Sequence, residues 1–190
     1  MSPLAGVLFS AAIVLGVAGV AKVMTPDGTR VALRTVGLPS GRWAVRLLGI
    51  VELAITAVAL VVAGRIGATL VALTYLGFAG FSALLLARSR GSASCGCFGG
   101  TDSPVTRIHV ILNVIIAAAV ATGIGYPVPG VADTAADTPW AGIPFALLVV
   151  LLAWVLQVAF TTLPALQAAE RPAPPHRPGT GIAISRKVPT

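Results

Sequence analysis

Apolar residues fill this chain in five long blocks, and the stretches between them collect its glycine, proline and charge. A helix needs about 20 apolar residues to cross a bilayer core, because an unsatisfied backbone amide is too costly in hydrocarbon. Residues 3–24, 43–64, 66–87, 105–125 and 140–163 meet that length and predict five transmembrane helices. The fold class that follows is an all-α polytopic membrane bundle. The first block lacks a basic leading segment and carries Lys22 near its end instead of a cleavage site of small residues. It is therefore expected to stay as the first helix and not to be removed as a signal peptide.

The connecting stretches differ in character. Thr25-Pro26-Asp27-Gly28 reads as a turn, and with Arg30, Arg34, Gly37-Leu38-Pro39 and Arg42 it predicts a basic interfacial loop. Gly64-Arg65 leaves so little between the second and third blocks that they must form an antiparallel hairpin. Residues 126–139 form an acidic loop holding Asp133 and Asp137, and residues 164–190 read as a disordered, proline-rich basic tail outside the chemistry.

Composition fits this reading, with 56% of residues hydrophobic and 10% charged, too little polar surface for a water-soluble domain. The net charge of +7 would suggest nucleic acid in a soluble chain. Here the basic residues lie in loops and tail, so the lipid bilayer is the expected partner and nucleic acid is not. Every Lys and Arg except Arg65 falls on one side of the five-helix topology. The positive-inside rule then predicts a multi-pass protein of the cell membrane with its amino terminus outside and the 88–107 loop and tail cytoplasmic.

That loop holds the chain's two cysteines, in Cys95-Gly96-Cys97-Phe98-Gly99-Gly100. A disulfide between them needs Cα atoms within about 7 Å, and Gly96 is the residue best able to bend that far. Such a bridge should be strained and suited to exchange. Arg107 and His109, early in the fourth block, could favour the reactive thiolate. Other readings of the pair remain open: two ligands of a copper or zinc site with His109 or Asp102, a lipid anchor, or small inert residues in a glycine loop.

Among the ionisable residues inside the blocks, two stand out. Each costs about 2.5–3.5 kcal/mol at the bilayer centre on insertion scales, which makes it a functional candidate. Lys22 is close enough to its helix end to snorkel to the headgroups. Glu52 lies about 13 Å into the second block at about 1.5 Å per residue, and needs a partner or a proton. Alternating helix direction puts Lys22, Glu52, Ser82, His109 and Asn113 in the same half of the membrane as the cysteines. They are expected to line a polar pocket beneath that loop, where a Lys22–Glu52 ion pair is one option. Gly16, Gly19, Gly77 and Gly80 suit close helix packing. Trp43, Tyr126 and Trp140 fall at the predicted interfaces.

The order Gly19-Val20-Ala21-Lys22, Gly37-Leu38-Pro39, Glu52 and Cys95-Gly96-Cys97-Phe98-Gly99 resembles the MauE/DoxX-like family of redox-associated membrane proteins. The likeness covers about residues 4 to 125. Family members often carry Arg-Asn early in the fourth helix; Leu112-Asn113 stands there in this chain, keeping only the asparagine. The resemblance implies a four-helix core, followed here by a fifth transmembrane helix. It also implies a link to the maturation of a disulfide-rich periplasmic enzyme of methylamine utilisation, beside a thioredoxin-like partner. Combined with the residues, it predicts a membrane-embedded thiol-disulfide redox protein. Cys95 and Cys97 would cycle, Lys22, Glu52, His109 and Asn113 would support them, and Gly96, Phe98 and Gly99 would shape the loop. A thioredoxin-like protein, a maturing redox enzyme or a quinone would exchange electrons with the pair. The alternative is a non-enzymatic membrane assembly factor or metal-binding protein.

Overall fold

A computed structural model describes residues 3–89, 93–94, 96, 104–126, 128–137 and 142–169. The elements are α1 (Pro3–Met24), α2 (Asp27–Thr35), α3 (Arg42–Val61), α4 (Gly64–Ser89), α5 (Arg107–Gly125), α6 (Val131–Asp137) and α7 (Gly142–Ala169). Five of them, α1, α3, α4, α5 and α7, are long and apolar enough to cross a membrane. The chain is thus a multi-pass helical membrane protein with the spans its hydropathy predicts.

α1 is the central staff, with buried positions along most of its length, and it packs chiefly on α3 and α7 while α4 packs chiefly on α5. Leu8, Phe9, Leu15, Val71, Tyr75 and Val120 anchor the main core. Side-chain hydroxyls tie neighbouring helices to each other's backbone: Tyr75 Oη donates to the Ala11 carbonyl at 2.9 Å and Ser10 Oγ to the Val149 carbonyl at 3.1 Å. In hydrocarbon, where apolar surface gives no hydrophobic drive, such bonds and close packing hold helices together.

Three stretches depart from the sequence expectations. The basic loop after α1 contains a helix, α2, which buries Thr29 and Ala32, with Val36 buried just after it, and exposes Val31 and Arg34. It ends in a Schellman motif: Leu38 N donates to the Leu33 carbonyl and Gly37 N to the Arg34 carbonyl, with Gly37 at φ +73°. Gly37-Leu38-Pro39 is therefore a helix stop. In the acidic loop, residues 131–137 form the short helix α6. The tail begins later than its composition suggests, since α7 runs through Pro164 to Ala169; proline is tolerated in membrane helices, where neighbours can re-satisfy the ladder. Trp140 and residues 170–190 lie outside the described residues.

The α3–α4 hairpin turns at Val62 and Ala63, two residues earlier than the expected Gly64-Arg65, with Ala63 at φ +46° and Gly64 at φ +55°. Next to the turn the two helices are pressed together: a Cβ on Gly67 would meet Ala59 Cα at 3.0 Å. Farther along they part, which matters for the site.

Candidate functional site

The site is set by where α1 crosses α3. A Cβ on Gly19 would lie 2.9 Å from the Gly49 carbonyl oxygen, and one on Gly49 would lie 2.7 Å from that of Gly19. Only two glycines allow this approach. It places the next turn of each helix side by side, so that Lys22 Nζ meets Glu52 Oε2 at 2.9 Å, with both side chains about 97% or more buried. Lys22 sits in the last turn of α1 but does not snorkel, because α2 follows at once and packs across α3 and α4. Its ammonium also stands 5.1 Å from the centre of the Phe78 ring on α4, a cation–π contact. Glu52 Oε1 is buried and has no hydrogen-bond partner among the described residues, and neither has Ser82 Oγ on α4.

His109 and Asn113 are also buried, at the start of α5. Their described hydrogen bonds serve that helix. Thr106 caps it, and its backbone N donates to His109 Nδ1 at 3.2 Å, so His109 takes the place usually held by Glu or Gln in a capping box. Accepting there leaves the ring proton on Nε2. Asn113 Nδ2 donates to the His109 carbonyl at 2.6 Å, and the His109 ring faces Phe160 of α7.

Of the cysteine loop, Cys95, Cys97, Phe98, Gly99 and Asp102 lie outside the described residues. Gly96 is described, and it is informative. It is buried with φ +64°, and a Cβ there would lie 2.6 Å from the Gly28 carbonyl oxygen. Thr29 Oγ1 donates to the Gly96 carbonyl at 2.6 Å. The loop's two ends meet at an antiparallel bridge between Ser94 and Pro104, with Val105 N donating to the Ala93 carbonyl at 2.8 Å. Beneath it, Ala32, Val36, Leu85 and Val105 form a second apolar cluster, and Arg88 Nη1 donates to the Val36 carbonyl at 2.8 Å. α2 is thus a floor for the residue between the cysteines.

The structure therefore joins Lys22 to Glu52 and seats Gly96 on α2, while His109 and Asn113 are engaged within α5. Sequence reasoning missed Thr29, whose hydroxyl holds Gly96; the burial rhythm of Thr29, Ala32 and Val36 on one helical face was the available signal. It also missed a cavity of about 280 Å³ between α3 and α4, lined by Lys22, Thr29, Leu33, Leu48, Thr74, Gly77, Phe78 and Phe81. Gly77 and Gly80 do not serve helix packing as their small size suggests: a Cβ on either would meet nothing within 4 Å. Gly16 does, lying against Thr56. Outside the membrane, Asp27 at the start of α2 accepts from Arg30 at 2.7 Å. That hydrogen bond, with the nearby charge of Arg42, holds its carboxyl below the usual aspartate range. Among the described residues, no three His, Cys, Asp or Glu side chains gather into a metal-binding group.

Comparison with curated proteins and with solved structures found no match. The family model for the methylamine utilisation protein MauE matches residues 2–126, from the start of the chain through α5, and the chain belongs to that family.

Proposed function

We propose that this protein is a membrane-embedded thiol-disulfide redox protein in which Cys95 and Cys97 alternate between dithiol and disulfide. It would exchange with a thioredoxin-like protein or a maturing redox enzyme, in keeping with the family's link to methylamine utilisation. The observation that carries this reading is the seat of Gly96. The residue between the two cysteines is fixed in a backbone conformation that favours glycine, and its carbonyl is held by a buried threonine of a helix packed on the bundle. A loop of inert small residues has no need of such a seat. The buried Lys22–Glu52 pair supports the reading, since an ionisable pair inside a membrane domain marks a functional region by default.

Thiol trapping in native membranes, with and without reductant, tests the proposal. Both cysteines should be blocked from alkylation after oxidation and released by dithiothreitol, and the Cys95→Ser/Cys97→Ser variant should lose the ability to support disulfide formation in a co-expressed partner. Cysteines that stay reduced under both conditions, with full support from the double variant, would sink it. The basic residues favour a cytoplasmic face for the loop and an outside amino terminus in the plasma membrane. Labelling of the cysteines in intact cells by a membrane-impermeant maleimide would overturn that orientation.

A further inference from the structure

α3 and α4 touch at Ala59 and Gly67 beside their hairpin and separate toward the cysteine-loop end, where the cavity of about 280 Å³ opens between them. What can fill it follows from its walls. Leu33, Phe78 and Phe81 bring carbon surface, and the polar side chains of the lining are committed elsewhere. Lys22 Nζ lies 2.9 Å from Glu52 Oε2 and 3.5 Å from the Ala18 carbonyl, and Thr29 Oγ1 donates to the Gly96 carbonyl. Thr74 Oγ1 donates at 2.8 Å to the Leu70 carbonyl of its own helix.

A buried water needs about 2–4 polar partners, so these walls do not suit water. A polar headgroup, or any ligand held by hydrogen bonds, meets the same lack. Left empty, the walls would forgo dispersion contacts on one side. Hydrocarbon is the material that fits, and it is at hand. Leu48 and Gly77 border the cavity and are exposed on helices that span the bilayer. Ala44 and Val51, one turn to either side of Leu48 on α3, are exposed as well, so the mouth opens in a lipid-facing surface. Side chains do not close it, since a Cβ on Gly77 would meet nothing within 4 Å.

We propose that the cleft between α3 and α4 is a site for one hydrocarbon chain of a bilayer lipid, which enters past Leu48 and Gly77, lies along Phe78 and Phe81 and reaches α2 at Thr29 and Leu33. Packing of this kind is what holds partners together in lipid, where apolar surface gives no hydrophobic drive. The site stands apart from the thiol chemistry: a filled cleft brings lipid against the same Thr29 that holds Gly96, whatever the cysteines do.

The test uses the full-length protein in phosphatidylcholine bilayers containing a rising share of the same lipid brominated in mid-chain, which quenches tryptophan on contact. In a background with Trp43, Trp140 and Trp154 replaced by phenylalanine, Phe81→Trp reports from the cleft and Leu76→Trp from an exposed position of α4 outside the lining. Fluorescence of the Phe81→Trp protein should fall in straight proportion to the brominated share, as for one chain in one site. That of the Leu76→Trp protein, ringed by several lipids, should fall on a steeper, curved course. Adding Gly77→Phe, which puts a ring in the cleft, should reduce quenching of the cleft reporter at least threefold with thermal stability unchanged. Gly80→Phe, at an equally open position outside the lining, should leave the quenching as it was. A cleft reporter that bromine does not reach, or that aqueous acrylamide quenches instead, overturns the proposal. A curve matching that of Leu76→Trp does so too, because the cleft is then ordinary bilayer surface, and quenching untouched by Gly77→Phe places the chain elsewhere. Phe78→Trp, on the same wall, repeats the measurement where the Phe81→Trp protein does not fold.

Discussion

α3 faces two neighbours in the same half of the membrane, and the two seams could hardly differ more. Against α1 it is pressed backbone to backbone at Gly19 and Gly49, with an ion pair sealed behind the crossing. Against α4 it closes only beside the hairpin and then leaves a cavity bordered by Gly77. Glycine is present in both seams and does opposite things. In the first it lets helices touch; in the second it keeps a space empty. Which role a glycine plays depends on whether a partner backbone arrives, and that is a property of the tertiary arrangement.

The sharpest way to break the tight seam is through its charges. Glu52→Ala leaves the Lys22 ammonium buried without its carboxylate, and a loss of about 3–5 kcal/mol in unfolding free energy is expected. Denaturation in detergent micelles measures it, and the Lys22→Met/Glu52→Gln double variant should recover most of the loss. A near-zero cost for Glu52→Ala would mean that the pair does not hold the seam. Gly49→Val acts on the same crossing by overpacking, since its Cβ would meet a backbone carbonyl oxygen at 2.7 Å. Expected is a loss of about 1–3 kcal/mol, together with a looser α1–α3 contact measurable by spin-label distances. In the open seam Gly77→Ala and Gly80→Ala should go the other way, each gaining about 0.5–1 kcal/mol from helix propensity alone. If either one destabilises the protein, the space beside it is not open.

The smallest effect is expected at the lintel over both seams. Asp27 has its carboxyl pKa depressed in the fold, chiefly by the hydrogen bond from Arg30, so its contribution is present above the unfolded aspartate value, about 3.9, and is lost as pH falls through the lower folded value. Order at the start of α2, followed by a spin label at Val31, should hold from neutral pH down to that range and relax only below it. Asp27→Asn should show no such transition; an identical transition in that variant would assign it to another group.

Much of this molecule was legible in one dimension because the bilayer imposes a length on each span. The five helices follow from hydropathy, and the need of Glu52 for a partner or a proton follows from the cost of an isolated charge in lipid, which left the pair with Lys22 as one option that the structure selects. α2 escaped because nine residues with two arginines do not meet any membrane criterion, and its reason for folding lies in Ala32 and Val36 meeting Leu85 and Val105, residues far away in the chain. The cleft escaped for a similar reason: it is made by the divergence of two helices, and no residue type encodes an angle. His109 was legible as a polar residue near the cysteine loop, yet its described hydrogen bonds are those of a helix cap, a role that its spacing of three from Thr106 could have suggested.

The bridge between Ser94 and Pro104 has a consequence for how such a protein can change over generations. With both ends of the intervening stretch fastened at one place, its residues other than the seated Gly96 can vary in number and kind without disturbing the helices that carry them. Even a doubling of such a loop adds only about 0.6 kcal/mol in closure entropy. The bundle thus behaves as a socket, and the segment between the two posts is what it holds out.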